Sequence, residues 1–218
     1  MKYLFSLVSY CIIILILTNC SIDHDPKCYT RQWNDEIIYF LMIDRFYNGD
    51  NSNDSSGGYS EKRKGGDFKG VIKKIPYLKE LGVSTIWISP PVRNNARDYH
   101  GYGAIGLKDV DPHFGNISEY KEMVLELKAN GFRVIQDIIF NHTGMTFYYD
   151  LNNNSIVDKD ESMPIFNNLG YDKSLCKLIN DSTNPLVNPS EFRNLDWYHR
   201  NGSVNNWDIE EQSLKGDF

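Results

Sequence analysis

The sequence predicts an α/β protein with parallel strands, on three observations. Residues 37–43 (Ile-Ile-Tyr-Phe-Leu-Met-Ile), 83–89 and 134–140 are short apolar runs of strand length, rich in β-branched residues. Between them, apolar residues recur at helical spacing. The chemically loaded residues fall just after the strands, and the helix-to-strand turns are plain. The order strand, helix, strand, helix, strand implies parallel pairing through right-handed crossovers. A (β/α)8 barrel predicts that asymmetry, and a doubly wound open sheet predicts it equally.

The elements follow in order. Run 37–43 is continuously apolar, the pattern of a strand buried on both faces. Loop 48–66 is dense in Asn, Asp, Ser and Gly. Val71, Ile75, Leu78 and Leu81 then share a helical face, which Pro76 interrupts, so this helix is expected to be kinked or split. Gly82 suits its end. Pro90-Pro91 closes the second strand. Asn116, with Glu119 three residues on, reads as a reciprocal helix cap. Tyr120, Met123, Val124 and Leu127 line one face of that helix, and Gly131 stops it. From Thr143 onward Asn, Asp, Ser and Tyr dominate and no long periodic stretch appears.

The 218 residues, 41% hydrophobic and 24% charged, suit one globular domain. A formal net charge of -6 argues against nucleic acid as a partner. The N-terminus reads as an export signal: Lys2, then an apolar stretch over 3–17, too short for the roughly 20 residues of a membrane span. Leu17-Thr18-Asn19-Cys20 is similar to a bacterial lipoprotein box, with Cys20 as the lipidated residue and Asn19 as its departure. The expected location is the cell surface or outer membrane, with plain secretion as the alternative. Cys28 and Cys176 remain; an exported protein can oxidise them to a disulfide, or they stay as two unrelated thiols.

Three segments together carry a resemblance. They are Asp44-Arg45-Phe46-Tyr47-Asn48-Gly49-Asp50, Asp98-Tyr99-His100-Gly101-Tyr102, and the strand from Arg133 that runs through Asp137 into Asn141-His142. Together they resemble the α-amylase family, the family 13 glycoside hydrolases. The resemblance spans roughly 37–218. It implies a partial (β/α)8 TIM barrel, the first three βα units, with a domain B insertion after the third strand. The expected organisation is a signal over 1–20, a linker over 21–35, barrel over 36–142 and inserted lobe over 143–218. Trp197-Tyr198-His199 and Gly216-Asp217-Phe218 look like landmarks of that lobe.

The family's residues carry over by position. Tyr102 matches the tyrosine that stacks on the sugar at the cleavage subsite. His100 and His142 match residues that hydrogen-bond the sugar's hydroxyls. Asp137 matches the aspartate of the first conserved block, Asn141 its calcium-binding asparagine, and Arg45 is the companion of Asp44. The residue types suit the task. A glucosyl ring offers a C–H face to an aromatic ring and hydroxyls to imidazole and carboxylate, and bonds that tighten as the ring flattens lower the barrier. A lone histidine here would read as a polar cap on a strand end; two, with a tyrosine beside them, favour a sugar site.

The loop after the first strand is the second signal. Calcium takes six to eight oxygens at flexible distances, and closely spaced Asn and Asp in a Gly-rich turn supply them. In the cyclomaltodextrinase, neopullulanase and glucanotransferase branches this loop binds a structural Ca2+. The matching positions are Asn48, Asp50, Asn53, Asp54 and Asp67, with Gly65 offering a backbone oxygen. The same residue types also form solvated turns. Residues 150–161 follow the twelve-residue EF-hand spacing, but Ser155 stands where Gly is usual and no clear helices flank it, so an acidic loop is expected.

The family cleaves or transfers α-glucosidic bonds with retention, using two carboxyl groups about 5 Å apart. The segments that carry them follow the fourth and fifth strands, and they do not occur up to Phe218. No catalytic residue is therefore assigned, and the 218 residues are expected to be inactive alone. The expected ligand is an α-glucan or maltooligosaccharide, with a membrane attachment through Cys20. The alternative is a non-catalytic surface α-glucan-binding lipoprotein.

Overall fold

The computed structural model describes residues 31–54, 63–95, 98–144, 146–156, 164–178, 190–215 and 217. The export signal, Cys20 and Cys28 lie outside the described residues. β1 (Ile38–Leu41) is followed by one helical turn, α1 (Ile43–Phe46), and then by α2 (Phe68–Lys73) and α3 (Ile75–Glu80). β2 (Thr85–Ile88) leads into an antiparallel pair, β3 (Val92–Asn94) and β4 (Ala104–Val110). α4 (Ile117–Ala129) returns the chain to β5 (Arg133–Gln136). Beyond it come a small antiparallel pair, β6 (Phe147–Tyr149) and β7 (Cys176–Leu178), and the short α5 (Glu210–Lys215).

β1, β2 and β5 form a parallel sheet in that order, with Leu41 opposite Ile88 and Ile88 opposite Gln136. This is the predicted strand, helix, strand, helix, strand order. Leu41, Ile86 and Ile88 face the helices and are buried with Phe68, Val71, Ile75, Leu78, Met123 and Leu127. Each such side chain contributes roughly 1.5–3 kcal/mol by leaving water.

The helices cover only one side of this sheet. Ile38 is 50% exposed, Phe40 42% and Trp87 40%, so β1 is not buried on both faces as its apolar run predicted. The open side is the one that points into the interior of a (β/α)8 barrel. Both outer strands are also shorter than their apolar runs. Ile43 already belongs to α1, and pairing on β5 ends at Gln136.

The helix over 68–80 is split, as Pro76 predicts. α2 and α3 meet at Lys74 (φ -98°, ψ 8°), and Pro76 sits in the first turn of α3, where its missing N–H costs nothing. Gly82 follows α3 at φ +74°, a conformation that favours glycine. α4 carries the full capping box. Asn116 Oδ1 accepts from Ser118 N and Glu119 N, and the Glu119 carboxylate accepts from Asn116 N at 2.9 Å. At the sheet's N-terminal end, the fully buried Glu36 carboxylate accepts from Ser84 Oγ and Thr85 Oγ1, both at 2.6 Å, and pairs with Arg31 and Arg133.

Candidate saccharide-binding site

Four predicted residues come together at the C-terminal ends of the parallel strands. The Tyr102 phenol donates to Asp137 Oδ2 at 2.9 Å. The Tyr102 backbone N–H donates to His100 Nδ1, also at 2.9 Å. His142 Nε2 lies 3.1 Å from the Tyr102 carbonyl. These bonds fix both imidazoles. A carbonyl only accepts, so His142 carries its proton on Nε2; His100 Nδ1 accepts, so its proton is on Nε2. Burial, with Asp137 beside it, raises the Tyr102 phenol above its ordinary pKa and keeps it a donor.

Neighbouring groups build the floor of this cluster. The His100 and Tyr102 rings are 5.9 Å apart, and Tyr99 packs edge-on against His100 at 5.3 Å. The Arg45 guanidinium lies 3.8 Å from the centre of the Tyr99 ring, a cation–π contact. Arg45 Nε in turn reaches Asp44 Oδ2 at 3.0 Å. Asp44 is buried and accepts from Lys64 N at 3.0 Å, so α1 holds the segment that follows the Asn-rich loop. Burial raises the Asp44 carboxyl, and its hydrogen bonds and Arg45 act against that.

The loop after α1 brings Asn48, Asp54 and Gly65 side by side. Asn48 Nδ2 donates to both Asp54 oxygens, at 3.0 and 3.1 Å. Gly65, at φ +80°, passes so close that a Cβ would stand 2.5 Å from Asn48 Nδ2 and 2.7 Å from Asp54 Oδ1. Asn48 Oδ1 and Asn53 Oδ1 are buried and, among the described residues, accept no hydrogen bond. The other two carboxylates are engaged. Asp67 caps α2 through Gly70 N at 2.5 Å and accepts from Gly49 N and Asp50 N. Asp50 accepts from Ser52 and pairs with Lys69 at 2.5 Å, which holds its carboxyl well below the usual range. Among the described residues no three His, Cys, Asp or Glu gather as a metal site.

Asn141 lines a cavity that no described residue of that loop borders. The cavity, of about 520 Å³, lies between the end of β5 and the inserted segment, bordered also by His142, Thr146, Phe147, Trp197 and Asp217. The landmark residues Trp197, Tyr198, His199 and Asp217 all reach it. Asp217 accepts from the Tyr149 hydroxyl and from Gly202 N at 3.0 Å, which ties the lobe's end to β6. In the EF-hand-like stretch, the buried Asp150 accepts from Ser155 N at 3.2 Å, and Ser155 lies at φ +59°; residues 157–161 are outside the described residues. Cys176 is buried and in no disulfide among the described residues, and burial pushes its thiol up to about 11.

Three groups behind the platform carry no motif in the sequence. Arg63, Asn94 and Asp111 surround the base of the Tyr102 loop. The hairpin of β3 and β4 carries this loop and has no turn motif to announce it. Its β4 strand, Ala-Ile-Gly-Leu-Lys-Asp-Val, buries Ala104 and Gly106 and leaves Leu107 exposed, so its residues carry no apolar–polar alternation.

The fold and the platform define a βα-barrel protein with aromatic and imidazole groups gathered at the C-terminal rim of its strands. The model of the α-amylase catalytic domain matches residues 40–213. A cyclomaltodextrin glucanotransferase of Klebsiella oxytoca is 33% identical over 203 residues, 86% of this chain and 28% of that protein. A β/α-amylase of Paenibacillus polymyxa is 31% identical over 88% of this chain and 14% of its own length. The α-amylase of Geobacillus thermoleovorans, solved with acarbose, superposes with a TM-score of 0.56 at 30% identity, over 86% of this chain and 33% of that one. The chain belongs to the α-amylase family. It spans about a third or less of these three relatives.

Proposed function

We propose that this chain is the platform-bearing part of a glycoside hydrolase that acts on α-glucosidic bonds of starch- or maltodextrin-type glucans. One observation supports this most: His100, Tyr102, Asp137 and His142, from two separate segments, meet in one hydrogen-bonded group at the strand ends. The Tyr102 ring offers a face for a sugar's C–H groups. The His100 Nε2–H offers a donor for a hydroxyl, and the Asp137 carboxylate an acceptor. The 29–33% identity to amylases and a glucanotransferase fits the same substrate class.

Retaining cleavage needs an attacking carboxylate and a proton donor about 5 Å apart. The residues assigned here bind and orient, and none is assigned either role. The 218-residue polypeptide is therefore expected to bind α-glucan without cutting it. Calorimetric titration with maltoheptaose, together with a reducing-sugar assay on soluble starch, tests both halves. Saturable binding without new reducing ends supports the proposal; starch hydrolysis by the purified chain overturns the second half, and no binding overturns the first.

Two supporting assignments belong with this function. Ca2+ fits the Asn48, Asn53, Asp54 and Gly65 oxygens, because two buried amide oxygens there lack a donor among the described residues. The ion would tie the loop after α1 to residue 65, with Asp50 and Asp67 organising the turn; Asn141 is a separate candidate at the cavity. The second assignment is export with lipid attachment at Cys20, motivated by Lys2, the apolar 3–17 stretch and the Leu-Thr-Asn-Cys box. Palmitate labelling of the chain in a bacterial host, lost in Cys20→Ser, checks it; absence of label sinks it.

A further inference from the structure

The loop over 95–103 carries His100 and Tyr102 and joins β3 to β4. Across its base Asn95 N donates to Gly103 O at 2.9 Å. Behind that base lies a polar group with no part in the sugar contacts proposed above. Asn94 is buried; its Oδ1 accepts from Gly103 N at 3.1 Å and its Nδ2 donates to Val92 O at 2.9 Å. Its backbone N–H donates to Asp111 Oδ2 at 2.9 Å. Asp111 is 2% exposed, and its Oδ1 takes His113 N at 3.0 Å and His113 Nδ1 at 2.7 Å. Arg63 stands on the other side. Its Nη1 is 3.9 Å from Asp111 Oδ1, Nε donates to Asp98 O at 3.1 Å and Nη2 to Asn95 O at 3.5 Å.

The two ends of the loop are thus held by one buried pair. Arg63 grips carbonyls where the loop begins, and Asp111, through Asn94, grips the amide where it ends. Gly103 is the next residue after Tyr102, whose own amide and carbonyl fix His100 and His142. A shift of Gly103 therefore moves the ring and both imidazoles together. Burying a carboxylate costs stability unless its bonds are satisfied, and a small hydrophobic side chain would avoid that cost. What the carboxylate adds is placement: one oxygen fixes β3 at Asn94 while the other fixes the turn at His113.

We propose that Asp111, paired with Arg63 and acting through Asn94, is a positioning residue that holds the Tyr102 loop in its sugar-gripping form. This goes with the saccharide-site proposal above, and the test separates the two.

Amide exchange at Gly103 and Asn95 is measured without sugar in the 218-residue chain, and maltoheptaose affinity is measured alongside. The variants are Asp111→Ala, Asp111→Asn and Tyr102→Ala, with folding followed by circular dichroism. Losing a buried acceptor is worth about tenfold. Asp111→Ala is expected to speed Gly103 exchange and weaken maltoheptaose by about that factor each. Asp111→Asn keeps an acceptor oxygen for Asn94 N and is expected to recover most of both. If Asp111→Ala fails to fold, Arg63→Met is read in the same way, with faster Asn95 exchange as the expected result. A folded Asp111→Ala or Arg63→Met that leaves exchange and affinity within about twofold of the parent overturns the proposal. So does an Asp111→Asn that is as impaired as Asp111→Ala. If the parent chain binds no maltoheptaose, the saccharide assignment fails, and the exchange rates alone still decide whether Asp111 holds the loop.

Discussion

The Tyr102 phenol donates to Asp137 at 2.9 Å, joining a loop after β3 to the end of β5 across 35 residues. The bond has one direction. Asp137 accepts, and the raised pKa of Tyr102 keeps the proton on the phenol. Tyr102→Phe keeps the ring and removes the bond, so maltoheptaose affinity is expected to fall by about 1 kcal/mol, roughly fivefold. Tyr102→Ala also removes the stacking face and is expected to cost about 2 kcal/mol. Titration calorimetry on both variants checks the order; equal losses would mean that the ring contributes nothing beyond its hydroxyl.

The orphaned amide oxygens of Asn48 and Asn53 predict a response to calcium. An ion that binds only the folded chain adds about 2.7 kcal/mol at a hundredfold excess over its Kd. Thermal melting in calcium and then in EDTA is expected to show a higher midpoint with the ion. Asp54→Ala or Asn53→Ala is expected to remove most of that difference. An unchanged midpoint in the parent chain would count against Ca2+ at this loop.

Glu36 is the anchor of the opposite end of the sheet. Its side chain is fully buried against Arg31, Arg133, Ser84 and Thr85. Removing one partner of a buried ion pair costs about 3 kcal/mol, because the other charges are left behind. Urea unfolding of Glu36→Ala is expected to show a loss of that order, while folded Glu36→Ala keeps its sugar affinity. Unchanged stability would contradict the buried network.

Asp111 predicts a pH dependence. Burial lifts its carboxyl to about 6, with Arg63, Arg93 and His113 around it. In the unfolded chain it titrates near 3.9. The folded state therefore binds the proton more tightly. This group's contribution to stability is largest below about pH 4 and falls on the order of 3 kcal/mol as pH rises to about 6. Urea midpoints of the parent and Asp111→Asn, compared from pH 4 to 7.5, are expected to diverge in that window and run parallel above it. A difference independent of pH would contradict the shift.

Much of the frame was legible in the residues. Helical spacing, Pro76 and the Asn116–Glu119 pair marked the helices and their ends, because caps and proline act locally. The strands are shorter than their apolar runs. The run from Ile37 to Ile43 is apolar throughout, yet Met42 and Ile43 turn into α1, where Ile43 N donates to Ser89 Oγ at 3.2 Å. An apolar run records burial, and both a strand and a helical turn satisfy it. Asp111 and Arg63 were not legible as a pair. They lie 48 residues apart, and only the hairpin of β3 and β4 brings them to the same loop.

A crystal structure of the 218-residue chain soaked with maltoheptaose tests the central claim most directly. The account predicts a glucosyl ring lying on the Tyr102 face, with its hydroxyls within hydrogen-bond reach of His100, His142 and Asp137. Sugar density elsewhere on the molecule, with the Tyr102 face bare, would contradict it.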